Sequence, residues 1–237
     1  MQIIVTSTLE EISRHDLKAK TALVIDVLRA TTTIITALAN GAQKVVPFLE
    51  PEQALYYKKS NACVLGGERK SCIIPGFDCG NSPFEYTTEK IAGKTFVIST
   101  TNGTRALHAV REAEHIYLAA LVNAGAVAKR IIAEKRDCVI VCSGTEGYFS
   151  SDDFLAAGAI LYKAKEYGEV HTNDLGDVAQ LWYEKHKDFL VHALKNCFHG
   201  RRLLNLGLEH DIDFCAKEDI FAVVPKYNVA TNEITIA

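Results

Sequence analysis

The feature that most constrains the fold is a repeated alternation of short β-branched runs with longer segments of helical period. That is the pattern of βα units wound around a largely parallel sheet. The spacing predicts strands over Gln2–Val5, Ala22–Val27, Lys44–Phe48, Ala62–Leu65, Thr95–Ser99, His115–Ala119 and Cys138–Cys142. Several are continuous apolar runs, as expected of strands buried on both faces. Helical periodicity predicts helices near Thr31–Asn40, Pro51–Ser60, Thr104–Glu112, Asn123–Glu134 and Asp152–Glu166, the first capped by Gly41. Ser82-Pro83-Phe84-Glu85 reads as a capping box with proline at the first helical position. Asp174–Asn196 is again helical in period, and Val223–Pro225 and Glu233–Ile236 read as terminal strands. The expected class is α/β, a largely parallel sheet with flanking helices. Residues 1–237 would form one unit, either a single domain or two small lobes sharing an interface.

Composition narrows the function. With 48% hydrophobic and 23% charged residues the chain is an ordinary globular protein, and a net charge of −3 gives no general attraction to nucleic acid or membrane. An anion site must therefore be built locally. Seven cysteines without a CxxC pair suit reduced thiols in the cytoplasm better than a disulfide framework. The N-terminus lacks a basic signal-peptide region, and no apolar run reaches the roughly 18 residues of a membrane span. Linkers, repeats and basic runs are absent, as are GxGxxG, GxxxxGK[ST], HExxH and GxSxG.

The chemistry gathers where predicted strands end. Asp26 closes ALVID and Arg29 follows it; ACVL opens into Gly66-Gly67-Glu68-Arg69; TFVIS opens into Thr100-Thr101-Asn102-Gly103; CVIVC opens into Ser143-Gly144, with Asp152 and Asp153 starting the next helix. In a parallel sheet such ends share one edge, where ligands of open α/β folds bind. The turn STTNGT offers hydroxyls and helix-terminal amides to a phosphate, and equally fits a plain N-cap. Arg29 and Arg69 fit bidentate anion contacts. Asp26, Glu68, Asp152 and Asp153 are hard oxygen ligands suited to magnesium, although SSDD also reads as a helix cap. A carboxylate after ALVI is costly unless paired or metal-bound, so Asp26 is the hardest to dismiss. The loop Pro75–Pro83, containing Asn81, either borders the site or simply connects elements.

The segments IDVLRATTT, LGGER, GFDCGNSP, STTNGTRA, VCSG and SSDDFLAAG, with the tail GRRLLNLGLEHDIDFCAKEDIFAVVP, resemble the 2-phosphosulfolactate phosphatase family over nearly the whole chain. The resemblance implies a magnesium-dependent hydrolase that removes phosphate from 2-phospho-3-sulfolactate, a step toward coenzyme M, or from a related 2-phospho acid. It implies Asp26, Arg29 and Asp153 as catalytic residues and Asp26, Glu68 and Asp152 as metal ligands. Arg69, Asn81, Thr100, Thr101, Asn102, Gly103 and Ser143 follow as substrate-binding residues. The family more often carries Glu-Asp where this chain has Asp152-Asp153. The partner would be a small anionic phosphate ester; the oligomeric state stays open, a homo-oligomer included.

The expected mechanism is in-line attack on phosphorus by water. An aspartyl-phosphate at Asp26 is the alternative, disfavoured because Leu28 stands where such enzymes place a second Asp. Competing readings are a non-catalytic anion sensor and a nucleotide enzyme, the latter weakened by the missing phosphate-binding motifs.

Overall fold

The computed structural model describes residues 1–237. An eleven-stranded sheet forms its centre, in the spatial order β5-β4-β6-β3-β11-β10-β7-β2-β8-β1-β9. In chain order the strands are β1 (Gln2–Thr6), β2 (Thr21–Ile25), β3 (Lys44–Pro47), β4 (Cys63–Arg69), β5 (Cys72–Ile73), β6 (Thr95–Ser99), β7 (His115–Ala119), β8 (Cys138–Cys142), β9 (His171–Thr172), β10 (Pro225–Asn228) and β11 (Glu233–Ile236). The helices are α1 (Ala30–Ala39), α2 (Pro51–Lys58), α3 (Thr88–Ile91), α4 (Gly103–Ala109), α5 (Ala124–Glu134), α6 (Ser151–Tyr167), α7 (Asp174–His186), α8 (Leu190–Asn196), α9 (Phe198–Asn205) and α10 (Glu209–Cys215). No helix is long and apolar enough to cross a membrane.

The α/β class is as expected, with two parallel groups, β7-β2-β8-β1-β9 and β4-β6-β3. The single parallel edge is not. The hairpin β10–β11 lies between the groups, antiparallel to β7 on one side and to β3 on the other. Followed through that hairpin, the two groups run in opposite senses, and a flat sheet would send their carboxyl ends to opposite edges. Sheet twist of about 20–25° per strand accumulates to roughly 100° over the five steps from β2 to β6 and swings the ends together. Val24 and Val139 of one group and Val45 and Phe96 of the other thus share one apolar cluster with Ile34 and Leu38 of α1 and Leu107 of α4.

Sequence explains several local features. Strands TALVI and CVIVC are buried at every position, as their uninterrupted apolar runs require. Helix α1 is buried from Ala30 to Leu38 despite four threonines. Their hydroxyls find carbonyl acceptors: Thr31 donates to Asp26, Thr32 to Val27, Thr36 to Thr32, and Thr33 reaches across to Asn81. The helix therefore fastens both the turn before it and the loop carrying Asn81.

Four boundaries differ instructively. Gly66–Arg69 continues strand β4 instead of opening a loop, because Gly67 allows β6 to approach so closely that a Cβ would stand 2.0 Å from the Ser99 carbonyl oxygen. Ser82–Glu85 forms a 3₁₀ turn without a capping box: Ser82 donates to Asp211, and Glu85 accepts from the Gly80 amide. The chain-terminal strand begins at Pro225 rather than Val223, and the helical stretch from Asp174 breaks at residues 187–189. All seven cysteines are free.

Candidate active site

Asp26 leaves the end of β2 at 6% exposure. Its carboxylate accepts from the Ala30 amide at the start of α1 at 3.2 Å and lies against Gly103 at the start of α4. Burial nevertheless pushes its pKa up to about 7, and the neighbouring Asp152 and Glu68 push the same way. Gly103 makes this approach possible, since a Cβ there would lie 2.8 Å from Ala30 Cβ and 3.1 Å from Asp26 Oδ2.

The other acidic residues divide into two kinds. Asp153, at the start of α6, accepts from the Val27 amide at 2.8 Å and the Gly144 amide at 2.9 Å, so it clasps the ends of β2 and β8 together. Burial raises it well above the usual carboxylate range, with Asp152 and Asp26 adding to the effect. Glu68 likewise gives one oxygen to the Thr101 amide at 2.8 Å and the other to the Ser71 amide at 2.7 Å. Asp152, 1% exposed, holds only the Ser150 hydroxyl. Among the four carboxylates, Asp26 and Asp152 keep capacity for a ligand.

The arginines are placed differently from expectation. Arg29, at the N-terminus of α1, is 4% exposed, pairs with Asp211 of α10 and donates to the Ser71 carbonyl at 3.2 Å. Arg69 donates to the carbonyls of Glu68 and Leu49 and to Ser99 Oγ, which fixes the end of β4 rather than offering a fork to an anion. The STTNGT turn is also largely self-satisfied. The Thr101 amide serves Glu68, the Thr104 amide serves Thr100 Oγ1 at 3.3 Å, and Asp26 lies against Gly103. The anions at this helix start are the protein's own carboxylates, because a free N-terminal amide takes any carboxylate within reach.

Of six sealed and unpartnered polar atoms, three belong to the expected site residues: Asn81 Oδ1, Thr101 Oγ1 and Ser143 Oγ. Each such group costs about 1–3 kcal/mol unless something fills its bond. Thr101 and Asn102 share a cleft of about 40 Å³ with Glu68, Lys70, Ser71, Thr145, Glu146, His199 and Arg202. Larger concavities lie elsewhere, one of about 680 Å³ bordered by Lys58, Asp78 and Lys94, but no crowded buried carboxylates open into it.

Strand-end reasoning missed His199, Arg202 and Asp211, which arrive from α9 and α10, far along the chain. Two of them lie within the C-terminal segment GRRLLNLGLEHDIDF, where Arg202 and Asp211 were visible as charges without an assignable place.

The comparisons with known proteins converge on one family. The family model described as 2-phosphosulpholactate phosphatase matches residues 6–229. The chain belongs to that family. A relative from Caldanaerobacter subterraneus subsp. tengcongensis is 46% identical over 222 residues, covering 92% of each chain. One from Clostridium tetani is 43% identical over 229 residues, covering 96% of this chain and 97% of its own. A third, from Thermotoga maritima, is 45% identical over 211 residues, covering 88% and 89%. All three carry the name "Probable 2-phosphosulfolactate phosphatase". Membership of the 2-phosphosulfolactate phosphatase family makes the chain an enzyme of the phosphatase class.

Proposed function

We propose that the protein hydrolyses 2-phospho-3-sulfolactate, or a closely related 2-phospho acid, to the 2-hydroxy acid and phosphate, with magnesium as cofactor. The names of its relatives support the substrate. The observation that carries the chemistry is the crowding of Asp26 and Asp152 in a buried site whose nearby polar atoms lack partners. No three His, Cys, Asp or Glu side chains form a ready-made metal cage. Magnesium does not need one, since it commonly uses one or two carboxylates and keeps water and substrate phosphate for its other positions. Asp26 and Asp152 fit that donor set, whereas Glu68 is held by two amides. When bound there the ion would offset the carboxylates' mutual repulsion and polarise a phosphoryl oxygen.

The protein's own groups do the rest. Thr101 and Ser143 hydroxyls are the free donors for the phosphoryl group, while Asn81 Oδ1, an acceptor, is open to water or a cation. Lys70 and Arg202, both lining the cleft, supply positive charge for the remaining anionic groups of the substrate. Asp153 keeps the turn after β2 rigid, and Arg29, locked to Asp211, fixes the wall behind it. Water rather than Asp26 is the nucleophile, because Leu28 stands where aspartyl-phosphate enzymes place a second Asp. A cleft of about 40 Å³ holds little more than a water, so binding requires its rim, Lys70–Ser71 and Thr145–Tyr148, to part. Cytoplasmic location and a place in coenzyme M synthesis belong to the same proposal, the former supported by seven free thiols.

The test is phosphate release from 2-phospho-3-sulfolactate and phospholactate by the purified protein, with and without magnesium. Turnover that survives complete chelation would remove the metal. Saturable binding without turnover would leave an anion sensor.

A further inference from the structure

The phosphatase reading leaves without a role the two hydroxyls that join Asp152 to His199. Asp152 accepts the Ser150 hydroxyl, Ser150 Oγ lies 3.0 Å from Thr145 Oγ1, and Thr145 Oγ1 lies 3.3 Å from His199 Nδ1. Asp152, Ser150 and Thr145 are all buried, so water does not compete for these bonds. A carboxylate that ligates a metal ion is ionised and only accepts hydrogen bonds, so in the metal-bound enzyme the direction of every link is set from that end. Ser150 donates to Asp152, so its oxygen must accept from Thr145. Thr145 has then committed its one hydrogen, so its oxygen must accept from His199. Nδ1 therefore carries the ring proton, and Nε2 carries the lone pair.

The free nitrogen is also in the right place. Nε2 makes no hydrogen bond within the protein and is not among its sealed polar atoms, and His199 lines the cleft beside Thr101, Asn102 and Glu68. We propose that His199 is a further catalytic residue, the general base that takes a proton from the attacking water at Nε2. Thr145, Ser150 and Asp152 are the positioning residues that hold its tautomer. This rests on the phosphatase reading.

In the step, one O–H bond of water breaks and its proton passes to Nε2, while the water oxygen forms the new bond to phosphorus. The ester P–O bond breaks with its electron pair on the departing alkoxide, which takes a proton from solvent. The imidazolium then returns its proton to solvent. The products are the hydroxy acid and inorganic phosphate. The ring is suited to the task. Burial lowers its pKa below the ordinary histidine value; Arg29 and Arg202 act in the same sense, and Asp152 and Glu68 oppose them. Lys70 and Glu146 complete the charged lining. A neutral ring at neutral pH is a ready base, and general base catalysis contributes about 10²–10⁴-fold.

The experiment has two parts, both on the full-length protein. With magnesium present, long-range ¹H–¹⁵N spectra should show His199 protonated at Nδ1 in the wild type, with Nε2–H appearing in Thr145→Val; an Nε2–H wild type overturns the proposal whether or not the enzyme turns over. In assays with magnesium, His199→Gln should lower kcat by about 10²–10⁴-fold with little change in KM and should remove the acidic limb of the kcat/KM pH profile. Thr145→Val should lose part of the rate and Thr145→Ser should restore it. His199→Gln that matches an active wild type overturns the base role alone. A wild type inert toward every 2-phospho acid overturns the phosphatase reading and the base role with it.

Discussion

The two groups of strands reach one cleft but treat their polar atoms in opposite ways. On the β4–β6 wall nearly everything is paired internally: Glu68 holds two amides, Arg69 binds two carbonyls and a hydroxyl, and Thr100 caps α4. On the β2–β8 wall Asp26, Asp152 and Asp153 crowd together at 6%, 1% and 2% exposure, and two of the three carry raised pKa values. The first wall is a rigid frame. The second stores electrostatic repulsion that a bound cation can relieve, and a fold keeps such an arrangement where binding needs it.

The sharpest way to break this contrast is Asp26→Asn. Activity should fall by about 10³-fold or more, as when a group acting directly on the transition state is lost. The metal-free protein should meanwhile melt no lower than wild type at pH 8, because a destabilising charge has gone. Near-normal kcat/KM would return Asp26 to a structural role.

Stability against pH comes next. The folded pKa of Asp26, about 7, lies above its ordinary value of 3.8, so the folded state holds the proton more tightly. The associated stabilisation is complete below the unfolded pKa and is lost as pH rises through about 7. Thermal melts of metal-free protein should therefore decline from pH 4 to pH 8, by up to about 4 kcal/mol if Asp26 alone were responsible. Magnesium should raise the melting temperature more at pH 8 than at pH 5. Equal shifts at both values would separate the ion from Asp26.

On the opposite wall effects should appear in folding before chemistry. Gly103→Ala drives a methyl to within 2.8 Å of Ala30 Cβ and 3.1 Å of Asp26 Oδ2, so about 1–3 kcal/mol of stability should be lost, with a drop in activity following from the displaced carboxylate. Glu68→Gln should remove about 1–2 kcal/mol in denaturant titrations, since hydrogen bonds to a charged acceptor are stronger than neutral ones. The smallest change is expected of Arg69→Lys, about 1 kcal/mol in stability with kcat preserved. A large rise in KM there would place Arg69 on the substrate after all.

Much of this was legible in the residues. Strand and helix positions followed from apolar periodicity, and TFVIS, HIYLA and CVIVC matched their strands residue for residue. Asp26 declared itself because a carboxylate ending an apolar strand has few inexpensive explanations. What Arg29, Arg69 and the STTNGT turn would touch was not legible. Arginine donors and helix amides accept any nearby oxygen, and only the packing determined that those oxygens belonged to Asp211, Leu49, Glu68 and Asp26.

Local order thus came from short-range rules: burial of apolar runs, the needs of turns, and the placement of polar groups where strands end. The meeting of two oppositely directed strand groups came from the central β10–β11 hairpin and the accumulated twist of the sheet. The arrival of His199 and Asp211 from α9 and α10 was likewise a tertiary event, because contacts across 54 and 182 positions of sequence leave no periodic trace in the chain.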